Sequence, residues 1–349
     1  MSTLKLGNIG SLVTYDSSIQ KMVSHKDIEI VIGNDKIIDI GTKLDHADSF
    51  IDCRQKLVTP GFVDCHTHLL WSGDRPNEIR LRQKGLTYQD ISNQGGGINK
   101  TVISTRKASQ KELESLGHRN LLQSSNYGTT TIEAKSGYGL SVDSEIKILE
   151  ATASLDGINH NVLPTWLGAD DFPKEKKPSE YMDELIHEQL PLVAEKNLAK
   201  WIDVFCEPGW FNLEQTETLV KNAKNFGLKS RLHVDEFVDS GGLSLAAELG
   251  SCSADHVGFS NSDSRDKANK SGTMQVFLPG TPYVLGKDLG EGIQECLENN
   301  WIFSLATDFN PNCQTLSLPF IASLATHRIG IDPLTALVFR GFKDNLVTP

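Results

Sequence analysis

The feature that most constrains the fold is an alternation of short apolar segments with longer stretches of helical spacing, from Leu57 to about Val338. Apolar runs of this length between helical segments are typical of parallel strands joined by helices. The alternation predicts eight such strands: Phe62–His66, Thr129–Lys135, Asn161–Leu167, Trp201–Cys206, Leu228–His233, Ser253–His256, Met274–Leu278 and Ile302–Asp308. Eight strand–helix units over about 250 residues match the α/β class, as a closed (β/α)8 TIM-like barrel. A doubly wound open sheet is the alternative, but no glycine-rich phosphate-binding sequence follows the first strand.

The N-terminal segment has a different pattern, made of short strands. Ile28–Ile32 and Lys36–Ile40 flank Gly33-Asn34-Asp35, which predicts a β-hairpin with suitable turn residues. We therefore predict three regions: residues 1–56 form part of a small β module, residues 57–338 form the barrel, and residues 339–349 form a divergent tail.

The composition excludes several classes of partner. The chain of 349 residues carries 34 basic and 45 acidic side chains, a formal net charge of −11, and no long basic run, which argues against nucleic acid or an anionic membrane. No apolar stretch approaches ~18 residues, and no basic-then-apolar segment opens the chain. The six cysteines are scattered without a Cys-x-x-Cys pair, which favours a reducing cytoplasm over a disulfide framework.

Histidines and a carboxylate lie where the predicted strands end. His66 and His68 are two residues apart, so their side chains point to the same side of an extended strand. His233, His256 and Asp308 close the fifth, sixth and eighth strands. Barrel enzymes carry their chemistry at this carboxyl-terminal rim, and imidazole and carboxylate groups are ligands of divalent metals. The remaining histidines lie in polar or helical surroundings and are interpreted as surface or packing residues.

Several motifs resemble one enzyme family. The run from Val58 to Arg75 resembles the amidohydrolase superfamily, and within it the chain is similar to the imidazolonepropionases as far as about residue 338. The segments that carry this resemblance are Gly73-Asp74-Arg75-Pro76-Asn77-Glu78, Thr87-Tyr88, Gly95-Gly96-Gly97-Ile98, Lys135-Ser136-Gly137-Tyr138-Gly139-Leu140, Ser253-Ala254-Asp255-His256, Leu278-Pro279-Gly280 and Thr307-Asp308-Phe309-Asn310-Pro311.

The resemblance implies a mononuclear metal site. Its ligands would be His66, His68, His233 and Asp308, around one divalent ion, Zn²⁺ or Fe. Binuclear relatives carry a lysine at the end of the fourth strand, whereas this chain has Phe205-Cys206-Glu207-Pro208 there. The sequence does not choose between zinc and iron, because imidazole and carboxylate suit both.

The resemblance also implies a reaction, the hydrolysis of a ring C–N bond of 4-imidazolone-5-propanoate to N-formimidoyl-L-glutamate. In this reading Asp308 acts as general base and then general acid, and His256 hydrogen-bonds the attacking water or the developing oxyanion. Glu236 would contact the ring nitrogens and relay a proton. The family further implies a homodimer.

The substrate contacts follow from the same comparison. Arg75 would bind the propionate in a bidentate pair, and Tyr88, Tyr138 and Asn310 match substrate-contacting positions. Lys135 is interpreted as structural.

Three positions depart from the family pattern. Asp170 replaces a substrate-contacting histidine, where its carboxylate would either repel an anionic substrate or accept ring N–H hydrogen bonds. Asn312 and Cys313 replace a Gly-Ser/Thr pair in the loop after the eighth strand; Asn tolerates positive φ, but Cys313 lacks the hydroxyl. After Val338 the resemblance stops, so we expect the C-terminal part of the small module to be truncated and its N-terminal strands to keep unpaired edges.

Two other functions remain open at this point. A deaminase of a cyclic amidine or nucleobase shares the same histidines and aspartate, but an anion-binding Arg75 and Tyr138 have no role with a neutral base. A catalytically inactive barrel that acts as a binding protein is the other alternative, which the altered C-terminus and Asp170 favour.

Overall fold

The computed structural model describes residues 2–16, 18, 19, 21–157, 160–288 and 291–337. Contacts divide the chain into two compact units: one of Met1–Gly61 with Asp332–Val338, and one that includes Phe62–Ile331. The domain boundaries expected from the sequence, at residues 56/57 and 338/339, stay predictions. The divergent tail, 339–349, lies outside the described residues, so the expected truncation of the small module stays a prediction.

The smaller unit contains seven strands in two sheets. The strands are β1 (Thr3–Gly7), β2 (Ser11–Asp16), β3 (Lys21–His25), β4 (Glu29–Gly33), β5 (Lys36–Gly41), β6 (Ser49–Asp52) and β7 (Leu57–Val58). The sheets have the orders β5-β4-β1-β6 and β3-β2-β7. Leu12 from one sheet and Ile30 from the other share a core with Ile9, which makes the pair a small β-sandwich.

The predicted hairpin is confirmed. Strands β4 and β5 pair antiparallel, and the turn between them places Asn34 at φ 52° and Asp35 at φ 58°. Asn and Asp accept this left-handed conformation better than most residues, so the turn chemistry explains the hairpin. In the described part of this sheet β5 and β6 are edge strands, and both expose large apolar side chains, among them Ile38 and Phe50.

The larger unit is built on eight parallel strands. They are β8 (Phe62–Asp64), β9 (Thr129–Lys135), β10 (Asn161–Ala169), β11 (Trp201–Cys206), β12 (Lys229–Val234), β13 (Ser253–His256), β14 (Met274–Phe277) and β15 (Phe303–Leu305). Each pairs with the next in chain order. The circle closes just beyond β8 and β15, where the Asp308 amide donates to the His66 carbonyl (3.1 Å) and the His68 amide to the Phe309 carbonyl (2.8 Å). The predicted (β/α)8 barrel is confirmed.

Two strands end earlier than the apolar pattern suggests. β8 stops at Asp64 and β15 at Leu305, so that His66 and Asp308 follow their strands instead of closing them. Asp308 has φ 50° and His256 has φ 73°, both in the left-handed region. Backbone of this kind leaves the extended ladder and turns the side chain into the barrel mouth.

Fourteen helices are described. They are α1 (Asn77–Gln83), α2 (Tyr88–Asn93), α3 (Gly97–Lys107), α4 (Gln110–Ser125), α5 (Val142–Ala153), α6 (Pro178–Glu184), α7 (Leu190–Glu195), α8 (Leu213–Asn225), α9 (Gly242–Leu249), α10 (Ser262–Ser271), α11 (Gly280–Leu285), α12 (Gly292–Glu298), α13 (Leu318–Leu324) and α14 (Pro333–Ala336). One π-helical turn, Leu185–Gln189, joins α6 to α7, and a second, Ala325–Ile329, follows α13. Of these, α14 belongs to the smaller unit, where it packs on β3. Within the described residues, no helix combines the length and apolarity needed to cross a membrane.

Candidate metal centre and substrate recess

Five side chains from four separate parts of the chain converge at the mouth of the barrel. They are His66 and His68 after β8, His233 on β12, His256 at the end of β13, and Asp308 after β15, and all are buried. The ring centres of His66 and His233 are 4.5 Å apart, and those of His66 and His68 are 5.7 Å apart. The convergence expected from the strand ends is therefore present.

The ligand atoms form two overlapping groups. His66, His68 and Asp308 make one, and His66, His233 and His256 make the other, with the atoms of each group within 4.8 Å of one another. Oδ1 of Asp308 lies 3.5 Å from Nε2 of His66 and 3.7 Å from Nε2 of His68. Two ligands about 2.1 Å from one ion at a tetrahedral angle are about 3.4 Å apart, so this spacing suits a common cation.

The protonation and pairing of these atoms also fit a cation. Burial, together with neighbouring cationic groups, holds the pKa of His66 and His68 well below the ordinary value, so both rings are neutral, as a metal requires. Nε2 of His66 and Oδ1 of Asp308 are buried, and within the described ranges neither has a hydrogen-bond partner. Unpaired buried polar atoms cost about 1–3 kcal/mol each, which a bound cation would offset. The cluster can hold a divalent metal ion.

Carboxylates behind the histidines fix how the rings are turned. Nδ1 of His66 is 2.7 Å from Oδ2 of Asp255, and Nδ1 of His233 is 3.0 Å from Oδ2 of Asp203. Nδ1 of His233 approaches Asp203 without the geometry of a hydrogen bond. Because a carboxylate accepts, Nδ1 of His66 carries the hydrogen of its bond to Asp255, and the opposite nitrogen, Nε2, keeps its lone pair. This is the tautomer that presents Nε2 to an ion.

A polar recess opens beside the cluster. It is lined by His68, Arg75, Tyr88, Tyr138, Asp170, His233, Glu236, His256, Asp308, Asn310 and Asn312, together with apolar neighbours. The recess therefore contains most of the residues predicted to contact substrate. An adjoining, mainly apolar cavity of about 350 Å³ shares Glu236, His256 and Thr281 with it.

Arg75 supplies the positive charge of the recess. The residue is buried, and its Nε and Nη1 have no hydrogen-bond partner in the part of the chain that is described. Tyr88 is a hydrogen-bonding neighbour of the guanidinium, and the ring of Tyr138 lies 5.5 Å from that of His68. A buried guanidinium with free N–H groups is suited to bind a carboxylate through two parallel hydrogen bonds.

Two acidic side chains face the same space. Asp170 is buried, with Oδ2 unpaired within the described residues, and burial together with Asp171 raises its pKa well above the ordinary value. Burial and then the neighbouring Asp308 raise the pKa of Glu236 in the same direction. Oε2 of Glu236 lies 3.6 Å from Nε2 of His256. Groups perturbed in this way in a cleft are candidates for proton transfer.

The loop after β15 uses its polar groups internally. Nδ2 of the Asn310 side chain donates to the Asp308 backbone carbonyl (2.8 Å). Its Oδ1 accepts from the backbone amides of Asn312 (2.7 Å) and Cys313 (3.1 Å). Cys313 is fully buried, its Sγ lies 3.8 Å from the Thr307 carbonyl, and it is not among the residues that line the recess. The structure thus brings Asn310 and Asn312 to the recess but not Cys313.

Thr281 and the three buried carboxylates Glu133, Asp203 and Asp255 were not predicted as site residues, and Lys135 was interpreted as structural. The Thr281 hydroxyl donates to Oδ2 of Asp308, which leaves Oδ1 facing the histidines. Glu133, Lys135, Asp203 and Asp255 lie behind the histidines. A signal for two of them was present, because Glu133 and Lys135 are two residues apart on one strand and so face the barrel interior together.

Known proteins with similar sequences include several imidazolonepropionases. The chain is 39% identical over 323 residues to an imidazolonepropionase of Thermoanaerobacter pseudethanolicus, covering 91% of this chain and 78% of that protein. It is 42% identical over 292 residues to an imidazolonepropionase of Symbiobacterium thermophilum, covering 82% of this chain and 69% of that protein. No family model matches the chain.

Solved structures show the same fold. A Xaa-Pro dipeptidase with methionine bound in its active site superimposes with a TM-score of 0.68 at 16% identity, covering 96% of this chain and 86% of that one. At this level of identity the similarity concerns the barrel architecture alone.

Proposed function

The chain belongs to the imidazolonepropionase family, and from that premise we propose that it hydrolyses 4-imidazolone-5-propanoate to N-formimidoyl-L-glutamate in histidine degradation. The enzyme is a hydrolase that acts on the C–N bond of a cyclic amide. One observation carries the proposal: Arg75, whose Nε and Nη1 have no partner among the described residues, lines the same recess as His68, His233 and Asp308 of the histidine–aspartate cluster. A substrate with a carboxylate at one end and a ring amide at the other matches both.

We assign the metal to His66, His68, His233 and Asp308, with Zn²⁺ or Fe as the ion. When bound, a divalent cation polarises a carbonyl and lowers the pKa of a water molecule to about 7. The neutral state of the buried His66 and His68 rings and the unpaired Oδ1 of Asp308 support this ligand set. His256 lies in one group of possible ligand atoms with His66 and His233. Because its Nε2 also lies 3.6 Å from Oε2 of Glu236, we assign His256 to the reacting water or the oxyanion and not to the metal.

Proton transfer is assigned to Asp308, His256 and Glu236. The Thr281 hydroxyl occupies Oδ2 of Asp308, so the carboxylate is held with Oδ1 toward the recess. In that position it can take a proton from the attacking water and return it to the leaving nitrogen. Burial and the neighbouring Asp308 raise the pKa of Glu236, which suits this carboxyl to carry a proton beside the ring nitrogens.

The remaining recess residues orient the substrate. Arg75 binds the propionate, and Tyr88 and Tyr138 flank it. Asp170 faces the ring side, where a carboxyl group accepts an N–H hydrogen bond. Asn310 and Asn312 shape the loop that borders the recess, and the predicted contact of Cys313 is the weakest, because its thiol is enclosed.

The test is product analysis with the purified protein. The proposal predicts loss of the imidazolone ultraviolet absorbance and the appearance of N-formimidoyl-L-glutamate by mass spectrometry, without release of ammonia. Stoichiometric ammonia from a nucleobase or amidine would favour the deaminase instead. If the metal-loaded protein turned over neither 4-imidazolone-5-propanoate nor a nucleobase or amidine, the result would favour a binding protein. The homodimer and the cytoplasmic location stay predictions.

A further inference from the structure

The barrel interior contains a lysine with no access to solvent. Lys135, at the end of β9, is fully buried, and its Nζ lies 2.7 Å from Oδ2 of Asp203 and 2.9 Å from Oε1 of Glu133. A third carboxylate, that of Asp255, has its Oδ2 at 3.7 Å. Burial alone lowers the pKa of Lys135, but Asp203 and Glu133 raise it above the ordinary value, so the side chain is an ammonium.

Two of these carboxylates each contact one histidine ring of the metal centre. Asp255 accepts from Nδ1 of His66 at 2.7 Å. Asp203 lies 3.0 Å from Nδ1 of His233 through Oδ2, and its Oδ1 accepts from the His233 backbone amide at 3.2 Å. One carboxylate therefore holds the backbone of His233 by a hydrogen bond and lies against its ring.

The carboxylate of Glu133 holds the backbone between His66 and His68. Oε2 of Glu133 accepts from the amide of Thr67 at 3.2 Å, and the Thr67 hydroxyl donates to the Glu133 carbonyl at 2.6 Å. The Lys135 amide also donates to the Thr67 carbonyl at 2.9 Å. Because Thr67 lies between His66 and His68, these bonds set the position from which both side chains project.

Lys135 thus contacts all three carboxylates behind the histidines. Carboxylates buried close together repel one another when ionised, so a neighbouring positive charge stabilises such an arrangement. Arg231 contributes as well, with Nη2 at 3.6 Å from Asp255. In the described part of the chain, however, only Lys135 forms ion pairs with both Asp203 and Glu133.

We propose that Lys135 is a positioning residue for the metal centre: its ammonium holds Glu133, Asp203 and Asp255 in the arrangement that aims His66, His68 and His233 at one divalent cation. This inference rests on the proposed function, since it needs the metal site. Outer carboxylates that orient metal-ligating histidines change metal affinity by about 10- to 100-fold when they are altered. A residue that holds several of them at once is expected to have an effect of the same size.

The experiment measures metal binding by the full-length protein, not turnover. Metal-free wild type and Lys135→Met are titrated with Zn²⁺ against a chromophoric chelator, and with Co²⁺ to record the visible absorption bands that report coordination geometry. A double variant, Glu133→Gln with Lys135→Met, removes one negative and one positive charge together and so keeps the net charge of the barrel interior. Circular dichroism establishes which variants have the native fold.

Lys147→Met is the matched control. Its Nζ donates to the backbone carbonyls of Thr105, Arg106 and Ala108 at 2.7–3.2 Å, so this lysine supports structure without touching the carboxylates. It is expected to lower thermal stability while leaving the Zn²⁺ affinity and the Co²⁺ spectrum unchanged.

The proposal predicts that folded Lys135→Met, or the double variant where the single change prevents folding, binds Zn²⁺ about 10- to 100-fold more weakly and shows altered Co²⁺ bands. Wild-type affinity and spectrum in either folded variant would overturn it. Failure of both variants to reach the native circular dichroism spectrum would also overturn it, in favour of a role in folding alone. A wild-type protein that binds no divalent cation would instead contradict the proposed function itself.

Discussion

Oδ1 of Asp308 lies 3.5 Å from Nε2 of His66, and among the described residues neither atom has a hydrogen-bond partner. The same two residues close the barrel, because the Asp308 amide donates to the His66 carbonyl at 3.1 Å. The segments that follow β8 and β15 therefore help to close the barrel through their backbones and bring two candidate metal ligands together through their side chains. A change at either side chain acts at the point where the chemistry is proposed to occur.

Replacing Asp308 with Asn tests its two proposed roles, as a metal ligand and as the group that transfers the proton. The change keeps the shape of the side chain but removes its charge, so we expect weaker metal binding and a fall in kcat of about 10²–10⁴-fold from the lost proton transfer. Metal content and kcat are measured on the same preparation. Asp266→Asn, at an exposed ion pair with Lys270, is the control and should leave both quantities unchanged. Full activity in the Asp308 variant would contradict the assignment.

Arg75→Lys tests the carboxylate site. Lysine keeps the charge but cannot make two parallel hydrogen bonds, so kcat/KM for the propionate substrate should fall by about 10- to 100-fold, a loss of about 1.5–3 kcal/mol. The effect should be mainly on KM, and an analogue without the carboxylate should show little difference between variant and wild type. Arg80→Lys, at an exposed position nearby, serves as the control. Equal losses with both substrates would assign Arg75 to another role.

Asp170→Asn tests whether this buried carboxyl contacts the substrate ring. Its Oδ2 is unpaired within the described ranges and faces the recess, so we expect kcat/KM to fall by about 10-fold, as for the loss of one buried hydrogen bond. Asp171→Asn is the matched control, because Asp171 is already engaged by Asn99 and by the Phe172 amide. A rise in kcat/KM in Asp170→Asn would show instead that the carboxylate repels the anionic substrate.

Glu207 gives a prediction for stability against pH. Burial raises its pKa from 4.5 to about 8, so between these values the native side chain stays protonated while the unfolded one ionises. Its contribution to stability is therefore fully present below pH 4.5 and is lost as the pH rises to about 8. The amide of Glu207→Gln would not titrate, so the free energy of unfolding of this variant should increase relative to wild type between pH 5 and pH 8, by up to about 1.4 kcal/mol per pH unit. Thermal melts across this range should show the same trend as a rise in relative Tm.

The exposed Glu217, which pairs with Lys221 on α8, provides the comparison for that measurement. Glu217→Gln should show a Tm difference from wild type that does not change with pH. A constant difference for Glu207→Gln as well would mean that its carboxyl has an ordinary pKa in the folded protein.

The sequence predicted the barrel because its strands are short, apolar and separated by helical segments, a pattern that each segment carries locally. It also predicted that His66 and His68 share a site, since residues two apart on a strand face the same way. The early ends of β8 and β15 were not predictable, because they depend on the hydrogen bonds that close the barrel. Contacts between distant strands have no local signature.

The role proposed for Lys135 was also not predictable, and the residue was interpreted as structural, because its contacts with distant strands leave no local signature in the sequence. Its importance depends on Asp203 and Asp255, which come from two other strands, and only the register of the barrel brings the three charges together. For Cys313 the resemblance to the family suggested a substrate contact, whereas the thiol is enclosed beside the Thr307 carbonyl. That role stays a prediction without support from its position.

The proposed metal-dependent hydrolysis is tested most directly by a metal titration of the chelator-treated protein, in which the loss of imidazolone absorbance is followed after each addition. We expect no turnover without metal and a linear rise of activity with Zn²⁺ or Fe²⁺ to a plateau at one equivalent. Turnover by the metal-free protein, or none after one equivalent has bound, would contradict this proposal.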